Sequence, residues 1–167
     1  MLDKHIEAGT RQDRTPHMPR PRQHDTYAHR RKRAGTSVCG GCGVVFRAGR
    51  WCWDAPPADA VEGGLCPACE RIRDRYPAGT LRLPASFAEE REEVLGLIRN
   101  AEQSEKAEHP LERLMGIEDD PGGGLIVTTT GLHLARSIAS KLERRFHRPA
   151  RIRYPEESHL MHVDWEG

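Results

Sequence analysis

Cys39-Gly40-Gly41-Cys42-Gly43 and Leu65-Cys66-Pro67-Ala68-Cys69, with 23 residues between Cys42 and Cys66, are the stretches around which this chain is organised. Each Cys-x-x-Cys pair has the spacing of a metal knuckle, a turn that brings two thiolates onto one ion while its amides point at the sulfurs. Two knuckles supply four thiolates and close a tetrahedral structural site with no open position for chemistry. The expected ligands are Cys39, Cys42, Cys66 and Cys69, holding one structural Zn2+. A rubredoxin-like iron site suits the same pattern, and ligand softness with tetrahedral geometry does not separate the two metals. The fifth cysteine, Cys52, lies between Trp51 and Trp53. It reads either as a packed structural thiol or as an alternative ligand or redox-sensitive group.

Between the knuckles, Val44-Val45-Phe46 and Arg50-Trp51-Cys52-Trp53 read as the two strands of a hairpin, the pattern of a zinc ribbon. Gly43 follows the first knuckle, where a positive φ would let the next amide reach a sulfur. Trp51 and Trp53 fall on one strand face, as hairpin packing or as a platform for stacked bases. Pro67 costs little in the second knuckle. A short helix leaves that knuckle within residues 69–80 and stops at Pro77 and Gly79, and Leu81-Arg82-Leu83 reads as a strand.

Outward on the N-terminal side, residues 1–36 read as a disordered basic arm. They are poor in apolar residues, are broken by Pro16, Pro19 and Pro21, and end in Arg30-Arg31-Lys32-Arg33. Such an arm beside a small rigid domain suits phosphate contacts, because each neutralised phosphate releases a counterion. A solubilising tail is the plainer reading. The formal net charge of +1 conceals blocks of opposite sign. Residues 1–38 carry nine Lys or Arg against four acids, 87–120 carry four against eleven, and 133–153 carry seven against one.

On the C-terminal side, residues 86–107 read as a charged helix, with Ser86 and Glu89 as a capping box and Val94, Leu97, Ile98 and Ala101 as one apolar stripe. Its acids would face solvent or a protein partner. Leu111, Leu114, Met115 and Ile117 suggest a further helical turn or two before the loop Asp119-Asp120-Pro-Gly-Gly-Gly. Leu125 to Thr129 is β-prone, and Thr129 or Thr130 then caps a helix running to about Phe146. Ala150 to Tyr154 and Met161 to Trp165 alternate as strands. Arg136, Lys141, Arg144, Arg145 and Arg148 ride that helix and Arg151 and Arg153 the next strand, a candidate nucleic-acid surface. The expected class is α+β: arm 1–36, zinc ribbon and short helix 37–84, acidic amphipathic segment 85–118, and a small β-α-β-β domain 124–167.

The chain has 167 residues, and no apolar run approaches the roughly 18 to 20 residues that span a bilayer. The N-terminus lacks a signal peptide's apolar region, so a cytoplasmic protein with no membrane partner is expected. In that compartment paired cysteines point to metal before disulfides. Thr128-Thr129-Thr130 before His133 would suit an anion at a helix N-terminus, but β-propensity and capping explain it as well. No Gly-rich phosphate loop with Lys, nucleophile elbow or His-Glu-x-x-His helix is present. No small-molecule substrate and no enzymatic activity are expected.

These residues carry a resemblance. Cys39–Cys69 with Cys66-Pro-Ala-Cys69-Glu-Arg-Ile-Arg is similar to part of the zinc-ribbon N-terminal region of the Nmd-three proteins, archaeal and eukaryotic adaptors of the large ribosomal subunit. The strand, Thr-Thr-Thr, His133-Leu-Ala135-Arg136, helix and Arg-Ile-Arg-Tyr resemble that family's following small α/β region. The chain is most similar to short bacterial proteins of this layout, over about residues 37–166. The larger adaptors have further cysteine pairs and domains that this chain lacks. The resemblance implies zinc on Cys39, Cys42, Cys66 and Cys69 and contact with RNA or the ribosome; nuclear export does not carry over. The leading expectation is therefore a non-enzymatic, zinc-stabilised, RNA- or ribosome-associated protein. The alternatives are a protein–protein adaptor using the ribbon and acidic helix, and a small redox or metal-handling protein with iron.

Overall fold

The computed structural model describes residues 25–27, 35–155 and 159–166. Arg30, Arg31, Lys32 and Arg33 lie outside the described residues. Of the expected arm, Asp25–Tyr27 is seated on the protein: Asp25 pairs with the buried Arg71 at 2.6 Å, and Tyr27 stacks on Tyr76 with centroids 5.9 Å apart. The expectation of disorder therefore does not hold at 25–27, where a buried guanidinium needs an anionic partner.

The cysteine-bearing part is a small sheet of β1 (Ser37–Val38), β2 (Val45–Arg47), β3 (Arg50–Cys52) and β4 (Val61–Glu62), in the order β3-β2-β1-β4. The hairpin between β2 and β3 turns on Ala48 and Gly49, both at positive φ. That two-residue turn matches the right-handed twist of the strands it joins. Helix α1 (Pro67–Asp74) begins inside the second knuckle. Pro67 fits as its first residue, where no amide is needed, and the Cys66 sulfur caps the helix by accepting from the Cys69 amide at 3.4 Å.

The remainder is a five-stranded sheet carrying two helices. Strand β5 (Gly79–Leu83), helix α2 (Arg91–Glu108), β6 (Leu114–Asp119), β7 (Leu125–Thr129), helix α3 (Leu132–Phe146), β8 (Ala150–Arg153) and β9 (Met161–Trp165) follow in chain order. The sheet order is β6-β7-β5-β9-β8. β5 pairs antiparallel with β7 and parallel with β9. The sheet thus contains two split β-α-β units, β5-α2-β6 and β7-α3-β8. Alternation puts Leu81, Leu83, Leu125, Val127, Met161, Val163 and Trp165 on the face covered by Val94, Ile98 and Ala101 of α2 and by Leu134, Ile138 and Leu142 of α3. The central strand of this sheet comes from residues that the sequence groups with the cysteine module.

Three local expectations are corrected. Leu111 to Ile117 is not helical: residues 114–119 form edge strand β6, where a bulge between Leu114 and Gly116 interrupts the alternation that marks a strand. The Ser86–Glu89 capping box is not formed, because Ala85–Phe87 is a 3-10 turn and α2 starts at Arg91 with no side-chain cap. The buried Phe87 fixes that turn by packing edge-on against Phe146 and Trp165. Nor do the threonines cap α3, whose N-cap is Gly131. Thr129 Oγ1 donates to the Gly131 carbonyl, and Thr130 Oγ1 accepts from the Arg113 amide at 2.9 Å.

Candidate metal centre

The two knuckles bring the sulfurs of Cys39, Cys42, Cys66 and Cys69 within 4.8 Å of one another. Cys39 and Cys66 are buried, and Cys42 and Cys66 are 3.8 Å apart through sulfur. Four sulfurs on a tetrahedral ion at about 2.3 Å would stand about 3.8 Å apart, so the cluster is close to the size a metal requires. Amides complete the setting: Cys66 N donates to Cys39 Sγ at 3.1 Å and Gly41 N at 3.4 Å. Gly43 has the expected positive φ of 75°, and its own amide bonds the Cys39 carbonyl. The sulfur contact expected next to it is made instead by Gly41.

Four thiols this close cannot all ionise without a cation among them. Burial raises the Cys39 thiol, but hydrogen bonds from the amides of Cys66, Gly41 and Cys42 and from the Cys42 thiol together outweigh it and bring it to about 7. Burial pushes Cys66 far up against the opposing Cys69 amide, and the other sulfurs add to the rise. Cys69, chiefly through burial, is pushed up to about 11. A dication reverses this pattern by taking all four as thiolates.

The sequence offered no signal for the residue that completes the site. Arg113 is buried, and its guanidinium donates to Cys42 Sγ at 3.1 Å, Cys69 Sγ at 3.5 Å and Cys66 Sγ at 3.8 Å. Its Nε donates to the Pro110 carbonyl at 2.7 Å, and the indole of Trp53 lies 5.4 Å from its carbon centre. Trp53 is itself anchored by its Nε1 donating to the Lys106 carbonyl. Burial alone would lower the Arg113 pKa, but the three sulfurs together hold it raised. Four thiolates and a dication carry a net charge of −2, which one guanidinium half-neutralises. Arg113 also covers one side of the cluster, while Cys42 and Cys69 stay half-buried.

Next to Arg113, the buried Glu112 does for α3 what the threonines do not. Its Oε2 accepts from the Leu134 amide at 2.8 Å, which favours a carboxylate at the positive end of a helix. A Cβ at Gly131 would meet this carboxylate at 2.2 Å, so any other residue at the N-cap would have to displace Glu112. Burial pushes the Glu112 carboxyl above the ordinary range, with the Leu134 amide acting against it. Residues 110–113 thereby tie the sulfur cluster to the start of α3.

Cys52 is outside the cluster, its sulfur 3.2 Å from Asp54 Oδ2. Trp51 packs on Phe46 beside the buried cysteines, whereas Trp53 covers Arg113, so the two indoles serve different neighbours. The basic residues of α3 and β8 do not make one unpaired stripe. Arg145 pairs with Glu93 of α2, Arg151 with Glu166 and Arg153 with Asp164, while Arg136 bonds the Tyr154 hydroxyl; Arg148, expected on the helix, lies in the loop after α3 and pairs with Glu90 just before α2. Lys141, Arg144 and Arg145, with Asn100 and Leu97, line an open groove of about 460 Å³ between the helices. The acidic face of α2 is turned in part onto α3 rather than to solvent.

The arrangement is that of four cysteines positioned to hold a metal ion, joined to an α/β sheet. No family model, curated protein or solved structure matches the chain. Among the described residues no helix is long and apolar enough to cross a membrane.

Proposed function

We propose that Cys39, Cys42, Cys66 and Cys69 hold one structural zinc ion in a zinc ribbon, and that the protein is a non-enzymatic RNA- or ribosome-binding protein. The observation that carries the zinc reading is the convergence of four sulfurs within 4.8 Å, a full ligand set for one tetrahedral ion. A redox or metal-handling role would call for iron at this site, and metal analysis of protein from its own host separates the two.

The RNA reading rests on the resemblance and on the groove of Lys141, Arg144 and Arg145. The arginines paired on α3 and β8 remain usable, because exposed ion pairs are worth about 0–1 kcal/mol each and exchange readily for phosphate. Co-sedimentation with ribosomes and structured RNA across a salt series is the test. The reading expects log affinity to fall linearly with log salt, and Lys141→Glu with Arg144→Glu to weaken binding and flatten the slope. Absence of binding at low ionic strength sinks it.

A further inference from the structure

Arg71 lies on α1 two positions after Cys69, and only 3% of its side chain is exposed. One guanidinium nitrogen donates to the Tyr76 carbonyl at 3.1 Å, and another reaches Asp25 Oδ1 at 2.6 Å. The ring of Tyr27 lies 4.5 Å from the guanidinium carbon and stacks on Tyr76. Tyr27 is held in turn by its amide, which donates to Asp25 Oδ1, and by its hydroxyl, which donates to Asp74 Oδ2. Thr26, between them, is exposed. The seat is therefore a buried cation beside an aromatic shelf, and it selects a carboxylate followed two residues later by a ring. Neither the metal site nor the groove on α3 uses it.

A partly enclosed cavity of about 330 Å³ adjoins this seat. Asp25 and Arg71 line one end of it, and Trp51, Leu111 and Leu132 wall the other. We infer that the Arg71 seat is a docking site for an acidic-x-aromatic segment of another protein. Asp25-Thr26-Tyr27 fills it in this structure as an internal stand-in, and so shows what chemistry the seat accepts. An occupant tethered this near to its own seat competes at an effective concentration on the order of millimolar. A partner displaces it by adding contacts, and the apolar end of the cavity supplies the surface for them. The arm thereby sets the affinity that a partner must exceed.

The test uses the full-length zinc-loaded protein and its Asp25→Ala/Tyr27→Ala variant. Each is titrated by NMR with a peptide of residues 23–29 and with the same peptide carrying Asp25→Asn. The variant should bind the first peptide saturably, with shifts at the amides of Arg71, Tyr76 and Ala78. It should bind about tenfold or more tightly than the wild type does, because no internal stand-in competes. The Asp25→Asn peptide should bind about tenfold or more weakly, the usual loss when a buried charged donor loses its charged partner. If the variant loses its fold, the wild type alone decides: millimolar peptide should unseat Tyr27 and shift its amide. No binding to the folded variant, equal binding of the two peptides, or a Tyr27 amide that stays in place under millimolar peptide overturns the inference. Displacement of Tyr27 by an oligoribonucleotide but not by peptide assigns the seat to phosphate, and dimerisation that depends on Asp25 assigns it to a second copy. Either result overturns the inference as well.

Discussion

The guanidinium of Arg113 stands 3.1 Å from Cys42 Sγ, although 71 positions separate the two residues in the chain. A cation is thereby buried against the cysteine sulfurs by a segment of the α/β sheet. Removing one member of a buried charge pair costs about 3–5 kcal/mol, and losing a group that supports metal ligands typically costs about 10–100-fold in affinity. Arg113→Ala should weaken zinc binding to that extent in competition with a chromophoric chelator. Arg113→Lys, which keeps the charge but not the fork, should recover part of the loss. An unchanged affinity in both variants would mean that the contact is incidental.

Glu112 makes stability depend on pH. Its carboxyl, ordinarily near 4.5, is raised in the fold, so the folded chain binds more protons than the unfolded one above that pH. The group's contribution is complete below 4.5 and is lost as pH rises through the folded value. Glu112→Gln keeps an acceptor for the Leu134 amide and removes the charge. Its urea midpoint should gain on that of the wild type as pH rises through this window. Glu112→Ala should instead lose about 1 kcal/mol below this window, the usual cost of a missing helix cap, and less of it as pH rises through the window. Parallel pH profiles for the wild type and Glu112→Gln would refute the assignment.

Proton release gives a direct count of the thiols. Without metal, residues 37–69 are unfolded, and thiols in an unfolded chain are mostly protonated at neutral pH, so zinc must displace their protons. Calorimetric titration with zinc in buffers of different ionisation enthalpy should report at least two protons released per ion. Fewer than two would exclude one of these sulfurs as a ligand.

Chelation should separate the two halves of the protein. Structural zinc contributes on the order of 10 kcal/mol, which the small core around Val44 and Ala68 cannot replace. Amides of residues 37–69 should lose hydrogen-exchange protection, and the links through Arg113 and Glu112 should carry that loss to residues 110–113 and the first turn of α3. Amides of β5, β7 and β9 should remain protected by the Leu81, Val127 and Val163 core. Protection surviving throughout 37–69 would contradict a metal-dependent fold there.

The sulfur cluster was legible because four cysteines at knuckle spacing leave few other arrangements. The stripe of α2 and the alternation of β7, β8 and β9 were legible because each buries one face against the same core. Strand β6 was hidden by its bulge and edge position, which leave Leu114, Met115 and Ile117 all half-buried with no clean period of two. Arg113 and Glu112 were illegible for a different reason. Arg113 reaches sulfurs 44 to 71 positions away and Glu112 an amide 22 positions away, and no local pattern encodes such partners. Neighbouring Glu and Arg on a charged chain read as solvated surface until the fold brings helix and cluster to either side of them.

X-ray absorption at the metal edge, on protein purified from its own host, tests the structural zinc site most directly. The expected result is one zinc per chain, no iron, and four sulfur neighbours at about 2.3 Å. Iron in the site, a nitrogen or oxygen ligand in place of a sulfur, or protein that folds fully without metal would contradict it.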